Sequence, residues 1–260
     1  MSEATAPRLD GKIAIVTGSS RGIGRGLAIG LAELGASVVC AARTETTSPD
    51  GLGGTIHETV EAIRAAGGTA VAQRCDIGSE DDLHALIEAA VTGFGGLDVL
   101  VNNAMTEVRA AFVDSAPEQW DESMRVNVRS LYVSTKAAVE PMRKRGGGSI
   151  INISSGAADP ASGPFMPPGY FIYSVAKAAL EKFSSALAVE LMPSNIAINA
   201  LRPGAVKTEH AAKELGPDHD WTGWKEPEAV VPAVAYLAAQ RADGLTGQVV
   251  DSTQFGVIWP

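Results

Sequence analysis

From Lys12 onward the chain alternates short apolar runs, rich in valine and isoleucine, with longer amphipathic segments, and keeps that rhythm nearly to its end. Few architectures accommodate such a pattern. A run that is apolar at consecutive positions must be covered on both faces, and parallel strands with helices above and below satisfy that need. The runs are KIAIVTG, SVVCAAR, TAVAQRCD, LDVLVNNA, SIINIS, IAINALRPG and QVVD. Helix-like stretches fall between them at about residues 22–34, 55–66, 79–93, 117–145, 173–192 and 226–240. Ser79, followed by Glu80, Asp81 and Asp82, reads as a helix start, because a cap and acidic first-turn residues suit the helix dipole. The expected fold class is α/β, with a doubly wound, seven-stranded parallel sheet flanked by helices.

No linker rich in proline, serine or glycine divides the 260 residues, and no solenoid-length repeat is present, so a single domain over 1–260 is expected. With 45% hydrophobic and 20% charged residues the chain suits a large buried core and not disorder. A net charge of -9, with no basic block, would repel a phosphate backbone and excludes nucleic acid as a partner. The opening MSEATAPRLDG has neither a basic nor an apolar region, and no run reaches bilayer length; the expectation is a cytoplasmic protein with no membrane contact. Cys40 and Cys75 sit in apolar stretches without metal-ligand spacing and read as reduced core thiols. The four histidines also lack metal spacing and read as surface residues, so no metal is expected.

Irregular stretches occupy 44–54, 156–169 and 209–225, each after the carboxyl end of a strand, where open α/β sheets bind ligands. The first strand runs into TGSSRGIG, in which Gly18, Gly22 and Gly24 open the first helix. With 28 glycines such a triplet is cheap by chance, but its place between strand and helix marks a Rossmann-type dinucleotide loop. The second strand ends at Ala42 and Arg43, where the usual ribose-binding acid is missing. A guanidinium there pairs with a 2′-phosphate, and Arg21 in the loop approaches from the other side. NADP(H) is therefore favoured, while Glu45 keeps NAD(H) open, and Arg43 as a plain solvated charge is the alternative.

Tyr173 and Lys177 in YSVAK lie four apart in a helical stretch and project from one face. A packed aromatic and a surface lysine would give the same letters. Taken in order, however, TGSSRGIG, Asp76 in CDI, NNA at 102–104, Asn127 in VNV, INISS, YSVAK and PGAVKT resemble the short-chain dehydrogenase/reductase family over roughly residues 8–252.

The resemblance implies a cofactor half over about 8–155 and a catalytic and substrate half over about 156–260. It implies that Tyr173 passes a proton to or from the substrate oxygen, that Ser155 polarises that oxygen, and that Asn127 orders a water leading to Lys177. Lys177, together with the positive nicotinamide ring, would lower the phenol pKa, and its ammonium would hold the nicotinamide ribose; a shift of three units corresponds to about 4 kcal/mol. Ser155 is preferred to Ser154 because the family uses the second serine. Further cofactor contacts are implied at Ser20, Ile23, Asp76, Ile77, Asn103, Ala104, Pro203, Gly204, Val206 and Thr208. The expected activity is hydroxyl/carbonyl interconversion on a small, mainly apolar alcohol or carbonyl compound. The family also implies a homo-oligomer, a dimer or tetramer. A non-catalytic dinucleotide-binding regulator and a related lyase or epimerase are the alternatives.

The sequence departs from the family pattern in places. Met105 replaces the glycine that often follows NNA. The stretch between Ser155 and Tyr173 is long and carries Phe165, Met166, Pro167 and Pro168, either an apolar pocket wall or a stiffened surface loop. Trp221 and Trp224 lie in the short lid region from Glu209 to Glu226 and suggest an apolar substrate or an interface anchor. The loop from Thr44 to Gly54 resembles family members of poorly defined or lipid-like substrate.

Overall fold

The computed structural model describes residues 6–46 and 51–260, without the side chains of 163–165. Residues 47–50 of the 44–54 loop therefore lie outside the described residues, as does the side chain of Phe165. The strands are β1 (Ile13–Thr17), β2 (Ser37–Ala42), β3 (Thr69–Arg74), β4 (Val99–Asn102), β5 (Gly148–Ile153), β6 (Ile196–Arg202) and β7 (Val249–Asp251). The α-helices are α1 (Gly22–Glu33), α2 (Ile56–Ala65), α3 (Glu80–Phe94), α4 (Pro117–Met124), α5 (Ser130–Lys144), α6 (Phe171–Leu191), α7 (Glu209–Leu215) and α8 (Val231–Ala238). The strands form one sheet in the order β3-β2-β1-β4-β5-β6-β7. Every pairing is parallel, with Ile13 beside Ser37, Ala14 beside Val99 and Gly148 beside Ile196. Each of the seven apolar runs supplies one strand.

Consecutive apolar residues are needed because alternate side chains leave opposite faces of the sheet. On one face Ala14, Val16, Val38 and Val101 meet Leu27 and Leu31 of α1, Ile63 of α2 and Leu237 of α8. On the other, Ile13, Ile15 and Leu100 meet Leu83 and Leu86 of α3, Met142 of α5 and Leu191 of α6. Full burial of each such leucine is worth roughly 1.5–3 kcal/mol. Cys40 and Cys75 are free and buried in these layers, and burial pushes each thiol up to about 12. Among the described residues no helix is long and apolar enough to cross a membrane.

Ser79 caps α3 by accepting from the Asp82 N–H at 3.2 Å. Thr55 and Glu58 form a reciprocal box at the start of α2, at 3.0 and 2.9 Å. The helix expected over 117–145 is instead two helices joined by a π-helical turn, Arg125–Arg129. That turn holds Asn127, which no apolar spacing would reveal. The last expected helix is also shortened: a 3₁₀ turn at Pro227–Val230 precedes α8. α7 lies in a region expected to be irregular, while α6 starts at Phe171 rather than at Tyr173.

Candidate active site

The carboxyl ends of β1 to β6 open onto one cleft of about 700 Å³, astride the point where β1 has β2 on one side and β4 on the other. Gly18, Ser20, Arg21, Gly22, Ile23 and Gly24 line it from the bend after β1. Gly18 adopts a φ of 70°, which a side chain disfavours. A Cβ on Gly24 would fall 2.2 Å from the Gly18 carbonyl oxygen, so α1 can press against the bend only with glycine there. No side chain caps α1, although Thr55, Ser79 and Thr208 cap α2, α3 and α7. The positive end of the α1 dipole thus faces the cleft, as a dinucleotide's pyrophosphate requires.

Around this bend the strand ends are tied together. Thr17 Oγ1 accepts from the N–H groups of Asn103 and Ala104 at 2.9 and 3.0 Å, and the Asn103 side chain donates to the Thr17 carbonyl at 2.8 Å. Asn103 therefore staples β4 to β1 while lining the cleft. Asp76 and Ile77 line the cleft after β3, with Asp76 accepting from the Gly78 N–H at 2.9 Å. Pro203, Gly204, Val206 and Thr208 line its far side, and Thr208 also caps α7 through the Ala211 N–H at 3.1 Å. Arg43 is exposed at the end of β2 and lines the mouth. Arg21 donates to Thr44 Oγ1 at 3.4 Å, on the same side. Glu45 turns instead towards His57, at 3.7 Å, and is not among the residues lining the cleft.

Tyr173 and Lys177 stand one turn apart on α6 and both line the cleft, 9% and 3% exposed. Lys177 Nζ donates to the Ile153 carbonyl at the end of β5, at 2.7 Å, and lies 5.7 Å from the Tyr173 ring centre. The neighbouring serines part company. Ser155 lines the cleft with Tyr173, its Oγ accepting from the Ala157 N–H at 3.2 Å, whereas Ser154 donates to Glu181 at 2.7 Å. Glu181 in turn accepts from Arg202 at 2.7 and 2.8 Å, and Arg202 reaches Asp159 at 2.6 Å. That network fixes the ends of β5 and β6 behind the catalytic face of α6.

Burial pushes the Tyr173 phenol up to about 12, opposed by the neighbouring Ser155 hydroxyl. Burial also pushes Lys177 down to about 8, opposed by the charge of Glu181. Desolvation of the phenolate thus outweighs the neighbouring side chains, and the lowering expected of Lys177 with the positive nicotinamide ring concerns the site with the dinucleotide bound. Asn127 does not line the cleft either. Its side chain accepts from the Thr106 N–H at 2.9 Å and donates to the Thr106 carbonyl at 2.8 Å and Ser123 Oγ at 3.1 Å. Asn127 thereby clamps the segment leaving β4.

Beyond Tyr173 the cleft is lined by residues that no motif marked: Glu107, Arg109, Tyr170, His210 and Glu214. They come from segments far apart in the chain, so sequence spacing carries no trace of their meeting. Met105, Leu215 and Trp224 add apolar surface. Met166, Pro167 and Pro168 do not line the cleft. Trp221 packs on Trp224 with ring centres 5.0 Å apart, and His219, expected at the surface, is drawn against both with its Nε2 buried.

The family model described as short chain dehydrogenase matches residues 12–218. The chain belongs to the short-chain dehydrogenase/reductase family. This short-chain dehydrogenase/reductase is 37% identical over 258 residues to an uncharacterized oxidoreductase of Methylorubrum extorquens, covering 95% of this chain and 98% of that protein. A crystal structure of a dehydrogenase/reductase from Sinorhizobium meliloti superposes with a TM-score of 0.79 at 33% identity, over 95% of this chain and 96% of that one. A provisionally assigned NAD(P)-dependent gluconate 5-dehydrogenase from Beutenbergia cavernae, carrying NADP, gives 0.81 at 29% identity, over 95% and 97%. The protein is an NAD(P)-dependent oxidoreductase, and its family interconverts hydroxyl and carbonyl groups.

Proposed function

We propose that the protein uses NADP(H) to interconvert a hydroxyl and a carbonyl on a small molecule, with Tyr173 as the group that gives or takes the substrate proton. The observation that carries this reading is the Tyr173–Ser155 hydroxyl pair beside a buried Lys177, at the end of a cleft that starts on an uncapped helix. The residues fit a nicotinamide dinucleotide. The glycine bend and α1 suit the pyrophosphate, Asp76 and Ile77 the adenine, Asn103 and Ala104 the ribose side, and Pro203, Gly204, Val206 and Thr208 the nicotinamide side. Arg43 and Arg21 suit a 2′-phosphate, and Ala42 and Arg43 stand at the end of β2 where a ribose-binding acid is usual. The relative that carries NADP supports the same choice.

When bound, the dinucleotide supplies or accepts the hydride. In the direction of reduction Ser155 donates a hydrogen bond to the substrate carbonyl oxygen, polarising it. Tyr173, held neutral by burial, transfers its proton to that oxygen, and the electron pair left on the phenol is stabilised by the Lys177 ammonium. Oxidation reverses each step. In this reading Asn127 positions Thr106 and the wall of the cleft, and Glu181 and Arg202 keep Ser154 turned away from the substrate. A regulator that only binds a dinucleotide has no physical need for the buried Ser155–Tyr173–Lys177 set.

Incubation with NADPH and a panel of ketones and aldehydes should consume the reduced cofactor, followed by loss of its absorbance. Tyr173→Phe should lower that rate by about 10²-fold or more, the scale of a general acid; unchanged turnover would refute the mechanism. Arg43→Ala removes a charge-assisted contact and should weaken NADPH binding about tenfold, with NADH little changed. Equal effects on both would remove Arg43 from cofactor selection.

A further inference from the structure

The end of the cleft beyond Tyr173 is polar. Glu107, on the segment leaving β4, has a side chain only 11% exposed, and Arg109 and His210 hold its carboxyl below the usual range against the effect of burial. Arg109 donates to Glu107 and also reaches Glu214 on α7 at 3.0 Å, while its guanidinium lies 4.4 Å over the Tyr170 ring. His210 Nε2 is 3.5 Å from Glu107, and Tyr170 lines the same end of the cleft. Tyr170, beneath Arg109, has its ring centre 6.3 Å from that of Tyr173, so the cluster adjoins the reacting phenol in one cleft.

These contacts restrict what can occupy the space. A hydrocarbon group placed there would strip water from Arg109, His210 and Glu214, each more than a third exposed, and from the open edge of Glu107, and would return no hydrogen bond, which is costly for charged groups. An anionic substrate fares no better, since two carboxylates already face one guanidinium and one imidazole. A hydroxyl group satisfies both sides, as a donor to Glu107 and an acceptor from Arg109 or His210.

We infer that the substrate is a neutral carbonyl compound, or the corresponding alcohol, bearing a hydroxyl group near the reacting carbon, and that Glu107 is the residue that selects for this hydroxyl. The inference rests on the proposed oxidoreductase reading and replaces the mainly apolar substrate expected from the tryptophans and the proline-rich insert.

The test is a matched pair, 2-hydroxycyclohexanone and 2-methylcyclohexanone, reduced with NADPH. A site built to hydrogen-bond a substrate hydroxyl discriminates strongly against the analogue lacking it. The hydroxyl compound should show a kcat/KM at least about tenfold higher. In Glu107→Ala that ratio should collapse towards unity, and Glu107→Asp should restore part of it. NADPH binding followed by tryptophan fluorescence shows that the variants are folded. Equal or better use of the methyl compound overturns the inference, as does a ratio unchanged in Glu107→Ala. So does turnover of other carbonyl compounds with neither member of the pair reduced, or a preference for a carboxylate-bearing analogue. If no carbonyl compound of any kind is reduced, the oxidoreductase reading fails first and this inference falls with it.

Discussion

At the scale of single residues, the chemistry turns on two groups that burial moves in opposite senses. Tyr173 is neutral and ready to donate, while Lys177, at about 8, gives up its proton within reach of ordinary assay conditions. The lysine is charged below that value and neutral above it, so the cation that stabilises the phenolate is lost on the alkaline side. The kcat/KM for carbonyl reduction should therefore fall above about pH 8 in a one-proton step, and a profile flat to pH 10 would show that Lys177 does not act as a cation. Tyr173 and Lys177 were legible in the sequence because one helical turn separates them and the spacing is local. The different fates of Ser154 and Ser155 were not, since they depend on Glu181, a residue from another element that takes one hydroxyl and leaves the other at Tyr173. The pKa of the phenol was also beyond the sequence, because desolvation depends on packing that spacing does not encode.

Elements were legible where burial imposes a period and obscure where it does not. The seven runs became strands because helices cover both faces of the sheet, and Ser79 marked the start of α3 through its own chemistry. The break at Arg125–Arg129 and the seven-residue α7, EHAAKEL, escaped because neither has an apolar face long enough to show a period. α7 has no buried residues of its own and is tied across the cleft by His210 to Glu107 and by Glu214 to Arg109. Glu107 raises the pKa of His210, Glu214 acts in the same sense, and Arg109 opposes them. A raised folded-state value means that the His210 contribution is fully present below about pH 6.5, its unfolded value, and is lost as pH rises through the folded one. Hydrogen exchange over residues 209–215, corrected for intrinsic rates, should be faster at pH 9 than at pH 6. His210→Asn should abolish the difference; a difference that persists in the variant would place the pH sensitivity elsewhere.

For the molecule as a whole, strand number and sheet continuity followed from the sequence, whereas the surfaces that meet other molecules did not. Tyr132 on α5, Val189 on α6 and Met192 just beyond α6 are 53%, 71% and 51% exposed, large apolar side chains of a kind more usual at an interface than in water. Light scattering should accordingly give a mass that is a multiple of 26.9 kDa, and a single-chain mass at micromolar concentration would refute self-association through these helices. The bare start of α1 carries a practical consequence. Sulfate and inorganic phosphate suit a helix terminus of this kind as well as a nucleotide does, so both should compete for it. Dissociation constants for the dinucleotide read in phosphate buffer will then come out weaker than those read in a chloride medium of equal ionic strength.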